Sequence, residues 1–345
     1  VGILDISYNN GMSESSKQFV KNLSDKDQIK SIFLAADKVS LSDRNGKKYL
    51  SVNLQDSSGS INARIWDNVD KIDPTFNSGD FVWVKGHVQV YQNRKQVVVH
   101  DLKPANEDEI DLKDFVKESS QSPDVLKRRL HEYVDSISDE NIRALLTNVL
   151  ADTEIRSLMI KAPAAKSIHH AYMGGLLEHV ISICDVMEKV AAHYSLLNRD
   201  LLIFGAIFHD IGKVYELKVD SGIQYTSQGR LVGHMGIACE FIDRFSRPIE
   251  GFPAELVDVL KHIVLSHHGR LEYGSPKLPA FPEALVVHMI DDLDSKLNTI
   301  FTYMQAELEG GESWTRYHQG FERYFFLDIF KDQLNKTTGG SGEEA

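Results

Sequence analysis

The spacing of apolar residues changes once along this 345-residue chain, and that change limits the folds open to it. Between Ile29 and Leu102 apolar and polar side chains alternate with a period of two, interrupted by Gly, Ser, Asn and Asp. This is the pattern of short, half-buried strands. The runs cover residues 32–41, 48–55, 61–66, 81–91 and 96–102. Beyond an acid-rich stretch, Leu126, Leu130 and Val134 begin a spacing of three and four that continues almost to Leu334, as amphipathic helices require. Helices are predicted over 172–194, 200–209, 234–247, 253–267 and 280–308, with one strand pair within 216–231.

Five short strands with a longer connection between the third and fourth predict an oligonucleotide-binding (OB-fold) barrel. The fold class expected is therefore multidomain, an N-terminal all-β OB-fold barrel followed by an all-α domain. Its predicted organisation is a lead segment (1–28), the barrel (29–103), an acidic linker with connecting helices (104–150), the helical domain (151–335) and a disordered, Gly-rich tail (336–345). Ser122-Pro123 reads as an N-cap followed by a first-turn proline. Cys184 and Cys239 both sit in apolar helical patterns, where a reduced thiol is the usual state, and no apolar run reaches membrane-spanning length. A cytoplasmic location is the expectation.

A net charge of −12 argues against a nucleic-acid partner for the chain as a whole, but the barrel departs from it. Residues 29–103 hold 11 Lys/Arg against 8 Asp/Glu. Aromatic and basic residues recur there: Tyr49, Arg64, Trp66, Phe81, Trp83, Lys85, Tyr91, Arg94 and Lys95. Bases of a single strand stack on aromatic faces while cations track its phosphates, so these are the residue types of a single-strand groove. The competing reading makes Phe81 and Trp83 barrel core and Arg94 and Lys95 turn charges.

The helical half carries His209-Asp210-Ile211-Gly212-Lys213, with His179 before it and His234, His267, His268 and Asp291 after it on separate apolar-periodic segments. Neighbouring His and Asp side chains cannot share one helical face, but at a helix end both can turn toward one ion. Imidazole and carboxylate ligands suit Mn, Fe, Co, Ni or Zn. His179, His209, Asp210 and Asp291 suffice for one ion. The surplus is explained if Asp210 bridges to a second, held with His234 and with His267 or His268. Two close metals favour in-line attack on phosphorus because they neutralise the charge that develops there. Lys213, three residues past Asp210 in the pentapeptide, is a candidate phosphate contact, and His170 a candidate proton donor to a leaving oxygen. His193, His262 and His318 read as structural or surface residues.

The strings HHAYMGGLLEH (169–179), FHDIGK (208–213), LVGHMGIA (231–238), LSHHGRLEYGSPKLP (265–279) and IDDLDSKLN (290–298) resemble the YhaM-type exoribonucleases, which join an OB-fold domain to an HD-superfamily phosphohydrolase domain. The resemblance implies a metal-dependent 3'-5' exoribonuclease of single-stranded RNA, with DNA as a further substrate, releasing nucleoside 5'-monophosphates with Mn or a similar ion. Arg270, Tyr273 and Lys277 are then expected on the substrate, Asp294 on a ligand or water, and the chain in a homo-oligomer or alone. Rival expectations are a hydrolase of small nucleotides or cyclic dinucleotides, a non-catalytic single-strand-binding factor, and an oxygenase with paired iron.

Overall fold

A computed structural model describes residues 17–43, 45–91, 94–115, 121–165, 172–219, 223–308, 312–331 and 333, and the chain divides near residue 118 into two compact units. The expected tail at 336–345 and most of the lead segment lie outside the described residues.

The first unit is a closed barrel of β1 (Gln28–Ser42), β2 (Lys48–Asp56), β3 (Gly59–Ile65), β4 (Phe81–Tyr91) and β5 (Arg94–Pro104), ordered β1-β2-β3-β5-β4. All pairs are antiparallel except β3–β5. That parallel pair needs a crossover, which the segment carrying the short helix α1 (Val69–Ile72) supplies. Alternation places Leu50, Val52, Leu54, Ile61, Ala63, Ile65, Val84, Val97 and Val99 inside. Closure leaves no open edge.

The strand ends are wider than the apolar pattern suggests. β1 begins at Gln28, and β5 begins at Arg94 because Arg94 pairs with Tyr91 to close the hairpin. The β4–β5 register shifts between Lys85 and Gly86, with His100 the extra residue on β5, and a Cβ on Gly86 would lie 2.3 Å from the Val98 carbonyl oxygen, so only glycine fits. Part of the lead segment belongs to the barrel. The Val20 amide donates to Asp56 at 2.7 Å, and Leu23 is buried in the barrel core. Lys17 lies over Phe33 and Phe115, with Nζ 3.7 Å from Asp56. Its burial pulls the ammonium down to about 8 against the pull of Asp56 and Asp114.

The second unit contains α2 (Pro123–Asp135), α3 (Glu140–Ala151), α4 (Thr153–Lys161), α5 (Gly175–His193), α6 (Arg199–Phe208), α7 (Lys213–Glu216), α8 (Ser227–Leu231), α9 (Gly233–Ser246), α10 (Ala254–Ser266) and α11 (Pro282–Glu307). A hairpin of β6 (Leu217–Val219) and β7 (Ile223–Tyr225) falls where the strand pair was expected. Asp139, Asp152 and Asn198 cap α3, α4 and α6 by accepting first-turn amides. Ser122 sits at the N-cap of α2 but its side chain makes no cap hydrogen bond; Pro123 alone marks that start. Leu126, Leu130 and Val134 of α2 and Leu145, Leu146 and Val149 of α3 join one core with α5, α6, α9, α10 and α11. Those two helices are therefore built into the helical body.

α6 decides the placement of the site. Leu202 through Phe208 are all buried, so the helix runs through the core and ends at its centre. Gly205 lets α11 come close: a Cβ there would lie 2.4 Å from Val287. No helix among the described residues is long and apolar enough to cross a membrane.

Candidate metal centre

Each ligand candidate is delivered by a local device. His209 is the C-cap of α6, and Asp210 follows as the chain leaves the helix, so the two neighbours converge on one point. His179 projects from α5, Asp291 from α11, and His234 from the first turn of α9. His267 caps α10 at its C-terminus, and His268 follows it as Asp210 follows His209. Two glycines allow the segments to meet. A Cβ on Gly212 would lie 2.0 Å from the His234 carbonyl oxygen, and one on Gly269, which has φ +73°, would enter the His288 ring at 2.2 Å.

The side chains form two groups, His179, His209, Asp210 and Asp291 in one and His234, His267 and His268 in the other, with the ligand atoms of each group within 4.8 Å of one another. In the first, His179 Nε2 is 3.2 Å from Asp291 Oδ1 and 3.4 Å from His209 Nε2. His209 Nε2 is 3.4 Å from Asp210 Oδ2. The other oxygen of the same carboxylate, Asp210 Oδ1, lies 3.5 Å from His234 Nε2 and 3.7 Å from His267 Nε2. Asp210 thus turns one oxygen to each group. Asp210 Oδ1, His234 Nε2 and His267 Nε2 are buried without a hydrogen-bond partner. Orphaned acceptors of this kind, aimed at one another, fit a bound cation.

All five imidazoles are oriented from behind. Nδ1 meets Asp294 in His179 (2.8 Å), the Gly205 carbonyl in His209 (3.0 Å), Glu216 in His234 (3.0 Å), the Val264 carbonyl in His267 (2.6 Å) and the Tyr273 carbonyl in His268 (3.0 Å). Nδ1 therefore carries the proton, and Nε2 presents its lone pair to the site. At the second group the electrostatics agree with that arrangement. Burial holds the His267 and His268 imidazoles below their usual range, hence neutral. Burial opposes ionisation of Asp210 and Asp291, yet Lys213 with His209, and His179 with His209, hold these carboxyls well below the usual range. His179 differs: against burial, Asp291 and Asp294 push it up to about 9, so a cation at its Nε2 must displace a proton held toward Asp291.

The remaining candidates divide. Lys213 Nζ reaches Asp210 Oδ2 at 2.6 Å, at the edge of the first group. His170 lies outside the described residues. Arg270, Tyr273 and Lys277 occupy the loop that anchors His268. Arg270 lies over the Tyr273 ring at 5.6 Å and is paired with Glu272, while Lys277 is exposed. In the barrel, Trp66 stacks on Tyr49 at 4.5 Å, and Arg64 lies 5.2 Å from the same ring, giving one aromatic and cationic cluster on β2 and β3. Those strands carry the binding face of OB-folds. Lys85 is exposed on β4, whose neighbours are β1 and β5, so it is not part of that cluster. Tyr91 and Arg94 flank the β4–β5 turn. Lys95 spends its ammonium on the Leu23 carbonyl at 2.8 Å, fastening the lead segment. Phe81 is buried against Phe115, and Trp83 is half-buried under Lys103.

Two supporting residues were not singled out from the pattern. Glu216 is buried and accepts from both the amide and Nδ1 of His234, each at 3.0 Å. Its only signal is an acid among Val214, Tyr215 and Leu217. Ser182 donates to Asp294 and completes the support of His179.

Comparison with known proteins agrees with the two halves. Residues 32–105 match the model of the OB-fold nucleic acid binding domain, and residues 176–296 match that of the HD domain. Among solved structures the chain is similar to the second OB-fold domain of replication protein A from Methanococcus maripaludis, at 18% identity over 26% of this chain and 96% of that one, TM-score 0.23. It is also similar to a mitochondrial single-stranded DNA binding protein of S. cerevisiae, at 13% identity over 24% and 98%, TM-score 0.20. A third similarity is to asparaginyl-tRNA synthetase from Pyrococcus horikoshii, at 16% identity over 42% and 36%, TM-score 0.23. Likeness at this level says nothing of activity. The chain joins an OB-fold nucleic-acid-binding domain to an HD domain, and HD domains are metal-dependent phosphohydrolases.

Proposed function

We propose that this chain is a metal-dependent 3'-5' exonuclease that shortens single-stranded RNA, and single-stranded DNA as well, releasing nucleoside 5'-monophosphates. The observation that carries the proposal is Asp210, whose two oxygens face separate groups of ligand atoms, the arrangement that two-ion phosphodiester hydrolysis calls for. His179, His209, Asp210 and Asp291 would hold one divalent ion, and Asp210, His234, His267 and His268 the other, with Mn the ion of first choice. Bound there, such ions supply Lewis acidity at the phosphorus and acidify water. The Lys213 ammonium, already beside Asp210, is positioned to bind a phosphate oxygen. Support for a nucleic-acid substrate comes from the barrel, where Tyr49, Trp66 and Arg64 offer a stacking face with a cation beside it. The 3'-5' polarity and the cytoplasmic setting rest on the resemblance and on the two free cysteines.

The test is product mapping on a 5'-labelled single strand with Mn added to the metal-stripped protein. A ladder shortening from the 3' end, with mononucleotide 5'-phosphates as products, is expected, and Asp210→Ala should abolish it while strand binding persists. Hydrolysis of free nucleotides or cyclic dinucleotides with the labelled strand untouched would refute the exonuclease and favour the small-nucleotide hydrolase.

A further inference from the structure

Single exposed leucines carry no message. Around the second ligand group, however, exposed apolar residues come from two separate segments, each attached directly to a ligand. On one side Leu231 is 86% and Val232 48% exposed, two residues and one ahead of Gly233-His234. On the other, Leu271 is 64%, Tyr273 57% and Leu278 56% exposed, in the loop that follows His268. The two ligands these segments carry are adjacent, with the His234 and His268 rings 5.3 Å apart.

Neither segment is a loose tail. The Ser275 hydroxyl, in a buried residue, donates to the Leu265 and Lys277 carbonyls, the Lys277 amide returns to Leu265, and the Tyr273 carbonyl holds His268. Opposite, a Cβ on Gly229 would meet the backbone of Glu216 at 2.3 Å, so α8 is seated tightly on α7 while Leu231 points outward. Cations accompany both segments: Arg230 beside Leu231, Arg270 and Lys277 around Tyr273. A chain that covered these residues merely for stability would bury them. Here apolar faces with cations among them border a site whose polar atoms fit a metal-held anion. That combination describes a ligand with an anionic phosphate at one end and a flat apolar ring a few ångströms away.

We infer that Leu231 and Val232 on one side and Leu271, Tyr273 and Leu278 on the other form a slot for the base of the terminal nucleotide. The slot makes the site selective for phosphoesters that carry a nucleobase. This rests on reading the site as a phosphodiester hydrolase. The phosphate is held by the ion groups, and the base between the two segments. Stacking and apolar contact with a base contribute roughly 1–3 kcal/mol per base, so the discrimination against a baseless end should be on the order of tenfold.

The experiment uses the full chain loaded with Mn. The kcat/KM is measured on a 5'-labelled single strand ending in an ordinary 3' nucleotide and on the same strand ending in an abasic 3' residue. In parallel, calorimetry compares adenosine 5'-monophosphate with ribose 5-phosphate. The abasic end should be about tenfold poorer, mainly through KM, and the nucleotide should bind about tenfold more tightly than the sugar phosphate. In Leu231→Ser combined with Tyr273→Ser both ratios should fall toward one, and Leu271→Ser should lower them in part. All three positions are exposed, so these variants should keep the fold; a preserved far-ultraviolet spectrum and Mn affinity check that they do. Equal cleavage of both ends by the unaltered protein overturns the slot and leaves the nuclease standing. If neither strand is cut the nuclease reading fails, and the binding arm then judges the slot alone: equal affinity for the two phosphates overturns it.

Discussion

Glu216 and Asp294 each support one imidazole of a different ion group, so removing either carboxylate should weaken its own group most and the other less, through the shared Asp210. Glu216 Oε1 accepts from the amide and from Nδ1 of His234, both at 3.0 Å, in a residue that is 8% exposed. Burial works against its charge, but His234 keeps its carboxyl below the usual range, so the acceptor is ionised at neutral pH. Glu216→Gln keeps an oxygen acceptor and removes the charge. The difference between a charged and a neutral acceptor, about 1–2 kcal/mol, corresponds to roughly tenfold weaker ion binding at the second group. Glu216→Ala also leaves two donors of His234 without a partner, and the loss should approach a hundredfold, the upper range for such supporting residues. Asp294→Asn should do the same at the first group through His179, whose Nδ1 it meets at 2.8 Å. Calorimetric titration of the metal-stripped protein with Mn resolves the two events. In each variant one event should move more than the other, and not the same one in the two variants. Equal loss of both events in Glu216→Gln, or no loss in Glu216→Ala, would refute separate support of the two groups.

Three further outcomes follow from the structure. Lys17 is held at about 8 in the folded barrel against 10.5 as a free side chain, so between pH 8 and 10.5 the unfolded chain binds more protons and stability should rise with pH. After allowance for its residual exposure the gain is about 2 kcal/mol, read by the fluorescence of Trp66 and Trp83 in denaturant titrations of the full chain. Lys17→Met should abolish the slope, and a slope that survives the substitution rules Lys17 out as its source. Gly212→Ala places a Cβ 2.0 Å from the His234 carbonyl oxygen, backbone that cannot swing aside, and should cost about 3 kcal/mol together with ion binding at the second group. An alanine variant with unchanged melting temperature and Mn affinity would contradict that. Trp66→Ala removes the partner stacked on Tyr49 at 4.5 Å and should weaken binding of a single strand by about 1–3 kcal/mol with the ion groups untouched. Unaltered affinity in a filter-binding assay would place the strand elsewhere on the barrel.

The barrel was legible because a half-buried strand has no choice but to alternate. Leu50, Val52 and Leu54, and Ile61, Ala63 and Ile65, declared both strands and which face was inside. Strand ends were not legible where charged residues continue the ladder, as at Arg94, because hydrogen bonding between backbones leaves no mark on side-chain type. At Lys95 the sequence is silent for a related reason: a basic residue beside a turn looks the same whether or not its ammonium also reaches a backbone carbonyl, as it does here at Leu23. The ligand residues were visible because seven imidazoles and carboxylates on apolar segments have no cheap structural explanation. Their supports were legible in part: Asp294 is expected on a ligand or water, but that the ligand is His179, 115 positions away, leaves no local mark, and neither does Glu216, 18 before His234. The choice between His267 and His268 was open in the sequence, since neighbours on a helix diverge; α10 ends at His267, and the turn brings both rings to the second group.

The two ion groups differ in composition, and Asp210 explains why both are needed. The first offers two imidazoles with Asp210 and Asp291, the second three imidazoles with Asp210 alone. Nitrogen-rich sets favour later transition ions, while added carboxylate oxygen suits Mn, so the groups are unequal in preference even where one element fills both. Neither is independent, because the shared carboxylate is 2% exposed and gives one oxygen to each. A buried carboxylate with cations on both oxygens is stable, whereas one buried oxygen left facing two imidazole lone pairs is a repulsive contact. Filling one group therefore favours filling the other. Lys213, at 2.6 Å from Asp210 Oδ2, supplies positive charge on the first side, and the ligand atoms buried without a hydrogen-bond partner among the described residues, Asp210 Oδ1, His234 Nε2 and His267 Nε2, face the second. The second group is thus the one whose electrostatics are least satisfied by the protein alone, and the one where a cation relieves the most.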